Sequence, residues 1–306
     1  MMKKTAIVIF GLILTMMFPG RSWAETVIEK VARTGVLTVG TRFDAIPYSY
    51  VDDKGQLVGY SIDVLNLIKN QLQQDLGKPI TLQMVEANDP AARIPLLTSG
   101  QIDIACDTQF TWERDRHVDF SVSYAISGIR LLAKKGSDLG TPESLAGRRI
   151  GVLQNSTAHD VIKLLQPQAI LVPISTVEEG FAALKQGKVD ALAGDTVVLG
   201  GAAQRIDPGA YQLVPTAPYA RYGVACMVPE NNSTFLNLVN YSLVRLMQGY
   251  VTGERPYVDM VDGWFGAQGI VPLPKELIQG FFETTIMQHA QIPPEATPVS
   301  GNGSAR

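Results

Sequence analysis

The chain has 306 residues, 46% of them hydrophobic, 18% charged and 8% aromatic, which is a globular composition with length for about two domains. Those proportions exclude a disordered, collagen-like or coiled-coil chain. With 26 Lys+Arg against 29 Asp+Glu the formal charge is −3 and no basic block occurs, so nucleic acid is not an expected partner.

The chain opens with Lys3 and Lys4, an apolar run from Thr5 to Phe18, then Pro19, Gly20 and the small-residue pattern Ser22-Trp23-Ala24. This predicts a secretory signal peptide over residues 1–24, cleaved after Ala24. As a helix the apolar run would reach ~21 Å, short of a ~30 Å hydrocarbon core, which disfavours a membrane anchor. Cleavage removes Lys3, Lys4 and Arg21 and no acid, taking the net charge from −3 to −6. Cys106 and Cys226 are too far apart for a CxxC motif or a zinc knuckle. In an oxidising, extracytoplasmic compartment they can form one long-range disulfide.

In the mature chain, VLTVGT (36–41) predicts a strand, the segment around Pro47-Tyr48 and the turn DDKGQ a hairpin-like excursion, and 64–76 a helix. ITLQMVEA (80–87) predicts a strand, 92–100 a short helix stopped by Gly100, and 101–108 a third strand. A second set of the same kind follows: strand 148–154, a helix capped by Ser or Thr, strand AILVPI, a helix ending at Gly187, strand VDALAG and helix DTVVLGGAAQRI. Strand and helix alternate in both halves, which predicts two parallel-sheet α/β lobes. Two strand-like runs without helices, 128–136 and 221–230, are expected to carry the chain across to the second lobe and back. The helices over 233–247 and 256–264 then pack on the first lobe. This puts lobe 1 at 25–130 plus 228–291, lobe 2 at 131–227, and a disordered Pro-, Gly- and Ser-rich tail at 292–306. The cleft between such lobes, at the carboxyl ends of their strands, is the expected ligand site. The Cys106 to Cys226 bridge is expected to join the third lobe-1 strand to the returning run.

Only three histidines occur, His117, His159 and His289, in no HExxH or HxH spacing, so no metal is expected. GxSxG, GxxxxGK[ST] and GxGxxG are absent, which removes the usual signatures of hydrolase, phosphate-loop and dinucleotide chemistry. The unusual charges stand at strand ends and helix starts: Arg42, Arg93, Arg114 and Asp195. Three Arg and one Asp converging on one cleft would match a zwitterion with an additional negative charge. Arg holds a carboxylate bidentately, and an ammonium needs an acidic acceptor.

At these residues, and along nearly the whole mature chain from GVLTVGTR (35–42) to WFGAQGIVPLP (264–274), the sequence resembles the periplasmic solute-binding proteins of amino-acid ABC transporters, most of all the glutamate/aspartate-binding subgroup. The segments IPYSYVDDKGQLVGYSID, RIPLLTSGQIDIAC, WERDRHVDFS and GKVDALAGD, in that order, carry the resemblance. It implies an α/β, type II periplasmic-binding-protein fold: two lobes joined by two hinge strands, with the ligand in the interlobe cleft. It implies that Arg114, with Thr108 and Thr157, holds the α-carboxylate, that Asp195 accepts the α-ammonium, and that Arg42 and Arg93 hold an acidic side chain. Two positive charges would then face one negative charge. It further implies a periplasmic monomer without cofactor, whose partners are a free amino acid and the membrane permease subunits of an ABC transporter.

Three departures stand out. The loop from Cys106 to Arg114 is one residue shorter than the glutamate/aspartate pattern, which leaves Thr108 and Gln109 as the equivalents of its hydroxyl ligands. Ser175-Thr176-Val177 stands where that pattern has a histidine, and Asn155 where a Gly is common. An exported dehydratase of cyclic carboxylic acids is the enzymatic alternative on this fold, with Asp195 or Glu113 as its acid or base. A binding protein for a neutral or amide amino acid is the other.

Overall fold

The computed structural model describes residues 25–289. The expected signal peptide at 1–24 and the expected tail at 292–306 lie outside the described residues.

Helix α1 (Val27–Thr34) starts at a capping box, in which Thr26 Oγ1 accepts from the Glu29 amide and the Glu29 carboxylate accepts from the Thr26 amide. Strand β1 (Val36–Thr41) follows and leads into the excursion, a small antiparallel sheet of β2 (Asp44–Ala45), β3 (Ser49–Val51) and β4 (Leu57–Val58). The chain leaves it at Gly59, where φ is +140° and a Cβ would overlap the Tyr48 carbonyl, so the turn demands glycine. Helix α2 (Tyr60–Leu76) begins four residues before the predicted start at Val64. The reason is tertiary: the Tyr60 hydroxyl donates to the Tyr124 carbonyl at 3.1 Å, and Ser61 Oγ lies 2.6 Å from Tyr124 Oη, which draws the first turn into the core.

The first half continues through β5 (Thr81–Glu86), α3 (Arg93–Thr98), β6 (Ile104–Gln109), a 3-10 turn at Arg114–Arg116 and β7 (Asp119–Phe120) to β8 (Ala125–Lys134). The second half runs β9 (Arg149–Leu153), α4 (Thr157–Leu165), β10 (Ile170–Ile174), α5 (Val177–Lys185), β11 (Ala191–Asp195), α6 (Thr196–Ile206), β12 (Tyr211–Val214) and β13 (Ala220–Val228). Ser156 Oγ caps α4 and Thr176 Oγ1 caps α5, each accepting the third helical amide. Asn155 has φ 55°, a left-handed conformation that Asn tolerates as Gly does. Three helices follow, α7 (Ser233–Val251), α8 (Arg255–Phe265) and α9 (Lys275–His289). The periodicity of the sequence does not anticipate α1, α9 or the four-residue β12.

The two lobes share one continuous ten-stranded sheet, ordered β10-β9-β11-β8-β13-β6-β1-β5, with β12 on β8 and β7 on β13. The outer pairings are parallel and the central strands β8 and β13 are antiparallel to their neighbours. Both change partners along their length. β8 pairs β13 as far as Ile129 and β11 from there on, while β13 leaves β8 for β6 at Val224. They are the two connecting strands. Leu65, Ile68 and Leu72 of α2 pack in one core with Phe235, Val239 and Leu246 of α7, all fully buried, each contributing about 1.5 to 3 kcal/mol. A second cluster, including Leu131, Ile150, Val152 and Ile162, belongs to the other lobe. Cys106 and Cys226 form a disulfide between the adjacent strands β6 and β13.

The lobes touch away from the cleft as well. Arg205 of α6 donates to the Val51 carbonyl and pairs with Asp53. At Gly201 on the same helix, a Cβ would come within 2.7 Å of the Ile46 carbonyl oxygen.

Candidate functional site

A cavity of about 110 Å³ lies between the lobes where β1, β6, β9 and β11 end. Arg42, Arg93, Thr108, Gln109, Arg114, Thr157 and Asp195 all line it. Glu113 is exposed and does not line it, which removes it as an acid or base there.

Arg42 leaves the end of β1. Its Nε donates to Asp44 Oδ1 at 2.7 Å, and its Nη2 lies 2.7 Å from the same oxygen without aiming a hydrogen at it. Burial opposes the charge on Arg42, but Asp44 first, then Asp107 and Asp195, offset this and raise its pKa. Asp44 also reaches across the cleft. Its Oδ2 lies 3.5 Å from the Val177 amide at the start of α5, in the loop where the resembled pattern has a histidine.

Arg93 opens α3 and is 4% exposed. Its Nε donates to the Ala87 carbonyl at 3.0 Å, and its Nη1 to Thr108 Oγ1 at 3.0 Å. Nη1 also stands 2.7 Å from Asp107 Oδ1, close enough for an ion pair but misaligned for a hydrogen bond. Asp107 takes φ 55° within β6, and its Oδ2 accepts from Thr41 Oγ1 at 3.1 Å. The expectation that Arg42 and Arg93 present two uncompensated charges is therefore corrected: each stands against a carboxylate. Asp44 reads locally as a turn residue and Asp107 as part of a strand, so nothing in their sequence context marks them as partners. Three polar atoms of these pairs, Arg42 Nη2, Arg93 Nη2 and Asp107 Oδ1, are buried without a hydrogen bond among the described residues.

Arg114 differs. Its Nη1 donates to the Gln109 carbonyl at 3.0 Å, and among the described residues no carboxylate pairs with it. Burial first, and then the charge of Arg93, pull its pKa down. Gln109 thus acts on Arg114 through its backbone, and the Thr108 hydroxyl is occupied with Arg93 and with the Cys106 carbonyl at 3.3 Å. Facing lobe 2 supplies Thr157 and Ala158, the first residues of α4, where helix amides without intrahelical acceptors favour an anion.

Asp195 ends β11 and caps α6, its Oδ1 accepting from the amides of Val197 at 2.8 Å and Val198 at 2.9 Å. Its Oδ2 accepts from the Tyr222 hydroxyl at 2.5 Å. Burial raises its pKa, and the bonds from Tyr222 and the two amides offset only part of that. Tyr222, on β13, and Tyr48, whose hydroxyl is buried without a partner among the described residues, both line the cavity. Sequence reasoning missed both; Pro47-Tyr48 in the excursion was the available signal for the second.

The model of the bacterial extracellular solute-binding proteins, family 3, matches residues 37–266. A glutamate/aspartate import solute-binding protein of Salmonella typhimurium is 29% identical over 270 residues, 86% of each chain. A glutamine-binding protein of Geobacillus stearothermophilus is 32% identical over 208 residues, covering 67% of this chain and 78% of its own. Among solved structures, an ancestral arginine-binding protein bound to glutamine superposes with a TM-score of 0.67 at 28% identity, over 76% of this chain and 98% of that one. The α/β fold is shared with that solved binding protein. With the family match spanning most of its length, this chain belongs to family 3 of the bacterial extracellular solute-binding proteins.

Proposed function

We propose that the protein captures a free α-amino acid outside the cytoplasm, closes its lobes on it, and presents it to the permease subunits of an ABC transporter. The observation that carries this reading is the contrast among the three cavity arginines: two have a carboxylate beside them and, among the described residues, Arg114 does not. In this reading Arg114, with the first turn of α4 at Thr157, receives the α-carboxylate, and Asp195 receives the α-ammonium. Hinge bending is taken up where β8 and β13 change partners, near Ile129 and Val224, close to the expected lobe boundaries at 130 and 228.

The side chain of the ligand lies toward Arg42 and Arg93, whose Nη2 groups make no aligned hydrogen bond among the described residues and call for an oxygen acceptor. A glutamate or aspartate side chain supplies one, in keeping with the Salmonella relative. Glutamine supplies one too, and the carboxylates beside both arginines favour it. Binding without turnover is the reading because the family is one of solute-binding proteins and the similar curated proteins are import and binding proteins.

A calorimetric screen of the twenty amino acids on ligand-stripped protein tests this. Saturable 1:1 binding of an amino acid with an oxygen-ended side chain is expected. Absence of any amino-acid binding, or formation of an aromatic product from prephenate or arogenate, would overturn it.

A further inference from the structure

The side-chain end of the cavity holds a specific mixture of unsatisfied groups. Arg42 Nη2 stands 2.7 Å from Asp44 Oδ1 and Asp107 Oδ1 stands 2.7 Å from Arg93 Nη1, each ion-paired without an aligned hydrogen bond, and Arg93 Nη2 is a buried donor with no acceptor among the described residues. The carboxylate of Asp107 is 1% exposed, and the Arg93 side chain against it 5%. Leaving such groups unmade in a closed site is costly, so the ligand that fits is the one that supplies their partners.

A carboxylate cannot do so. It accepts only, so it would answer the two guanidinium donors but bring a second negative oxygen against Asp107 Oδ1. A carboxamide carries one acceptor oxygen and two N–H donors on a single planar group. Its oxygen answers the Nη2 donors and its NH2 answers Asp107 Oδ1.

Charge leads to the same answer. Arg42 with Asp44 and Arg93 with Asp107 sum to zero, and Arg114 with Asp195 also sums to zero. A zwitterion with a neutral side chain leaves that balance unchanged. Glutamate or aspartate would leave one negative charge uncompensated in a desolvated site, where such a group takes up a proton.

We propose that the side-chain subsite selects a carboxamide, so that the ligand is glutamine or asparagine, and that Asp107 is the specificity-determining residue. Asp44 supports it by neutralising Arg42. This rests on the amino-acid reading above and names the ligand class within it.

The test is calorimetry on the full-length, ligand-stripped protein with glutamine, asparagine, glutamate and aspartate, in two buffers of different ionisation enthalpy. In the wild type the better amide is expected to bind at least tenfold more tightly than its acid. Acid binding is expected to consume about one proton and to gain on the amide as pH falls from 7.5 to 5.5. Asp107→Asn leaves Arg93 uncompensated and should shift the amide-to-acid ratio at least tenfold toward the acid. If that variant does not fold, the wild-type proton uptake still decides the matter. An acid that binds as tightly as its amide without proton uptake overturns the inference, as does a preference for an apolar or basic amino acid; both leave the amino-acid reading standing. If no amino acid binds, both readings fall.

Discussion

The Tyr222 hydroxyl donates to Asp195 Oδ2 at 2.5 Å, which ties the carboxylate that caps α6 to β13, one of the two strands joining the lobes. The bond stabilises the ionised carboxylate, while burial, the larger effect, raises its pKa. Ionised Asp195 is the form that accepts an ammonium. Affinity should therefore fall as pH drops through the raised value, above the ordinary 3.8. Tyr222→Phe removes a bond that lowers this pKa, so the acid limb of the affinity profile should move to higher pH. Titrations between pH 4.5 and 7.5 on both proteins check this; coincident profiles would show that Tyr222 does not tune Asp195.

Arg114 and Asp195 line the cavity from opposite lobes, and removing either charge should weaken binding by about 2 to 5 kcal/mol, roughly 30-fold to several thousand-fold. Asp195→Asn separates charge from capping, because Asn still accepts from the Val197 and Val198 amides. Its melting temperature without ligand should stay close to wild type, while the ligand-induced rise disappears at concentrations that saturate the wild type. A retained rise would remove Asp195 from the site.

Gly201 of α6 stands against the Ile46 carbonyl across the lobes, where a Cβ would come within 2.7 Å of backbone oxygen. Gly201→Val should therefore leave each lobe folded and keep the lobes apart. Small-angle scattering should find the variant more open than wild type with saturating ligand, and affinity should drop although the substituted residue lies outside the cavity lining. Equal compaction in both proteins would exclude this contact from closure.

The Cys106 to Cys226 bridge closes a loop of 120 residues. In the chain-entropy view its loss costs about 4 to 5 kcal/mol at most. The double Cys→Ser variant should show a lower denaturant midpoint with ligand specificity unchanged. An unchanged midpoint would mean that the pairing of β6 with β13 holds this region without the bridge.

Much of this protein is legible from local sequence, because the signals are local. Apolar runs ending in small or capping residues place β1, β9 and β11 and the starts of α3, α4 and α6. Arg42, Arg93, Thr157 and Asp195 thus read as strand-end or helix-start residues before any contact is known. The start of α2 shows the limit: Tyr60 and Ser61 are helical because Tyr124, more than sixty residues away, bonds both.

By itself the sequence determined the class of fold, the two-lobe alternation, the cysteine pair and the set of charges that converge on the cleft. Tertiary structure alone decided how those charges are matched. Asp44 becomes a counter-ion when the excursion folds back on the end of β1, and Asp107 when a left-handed residue turns β6 toward Arg93. It also decided that the lobes share one sheet, with partners exchanged at Ile129 and Val224. Periodicity records which face of a strand or helix is buried, whereas Coulomb and hydrogen-bond energies depend on separation in space, which no spacing along the chain encodes.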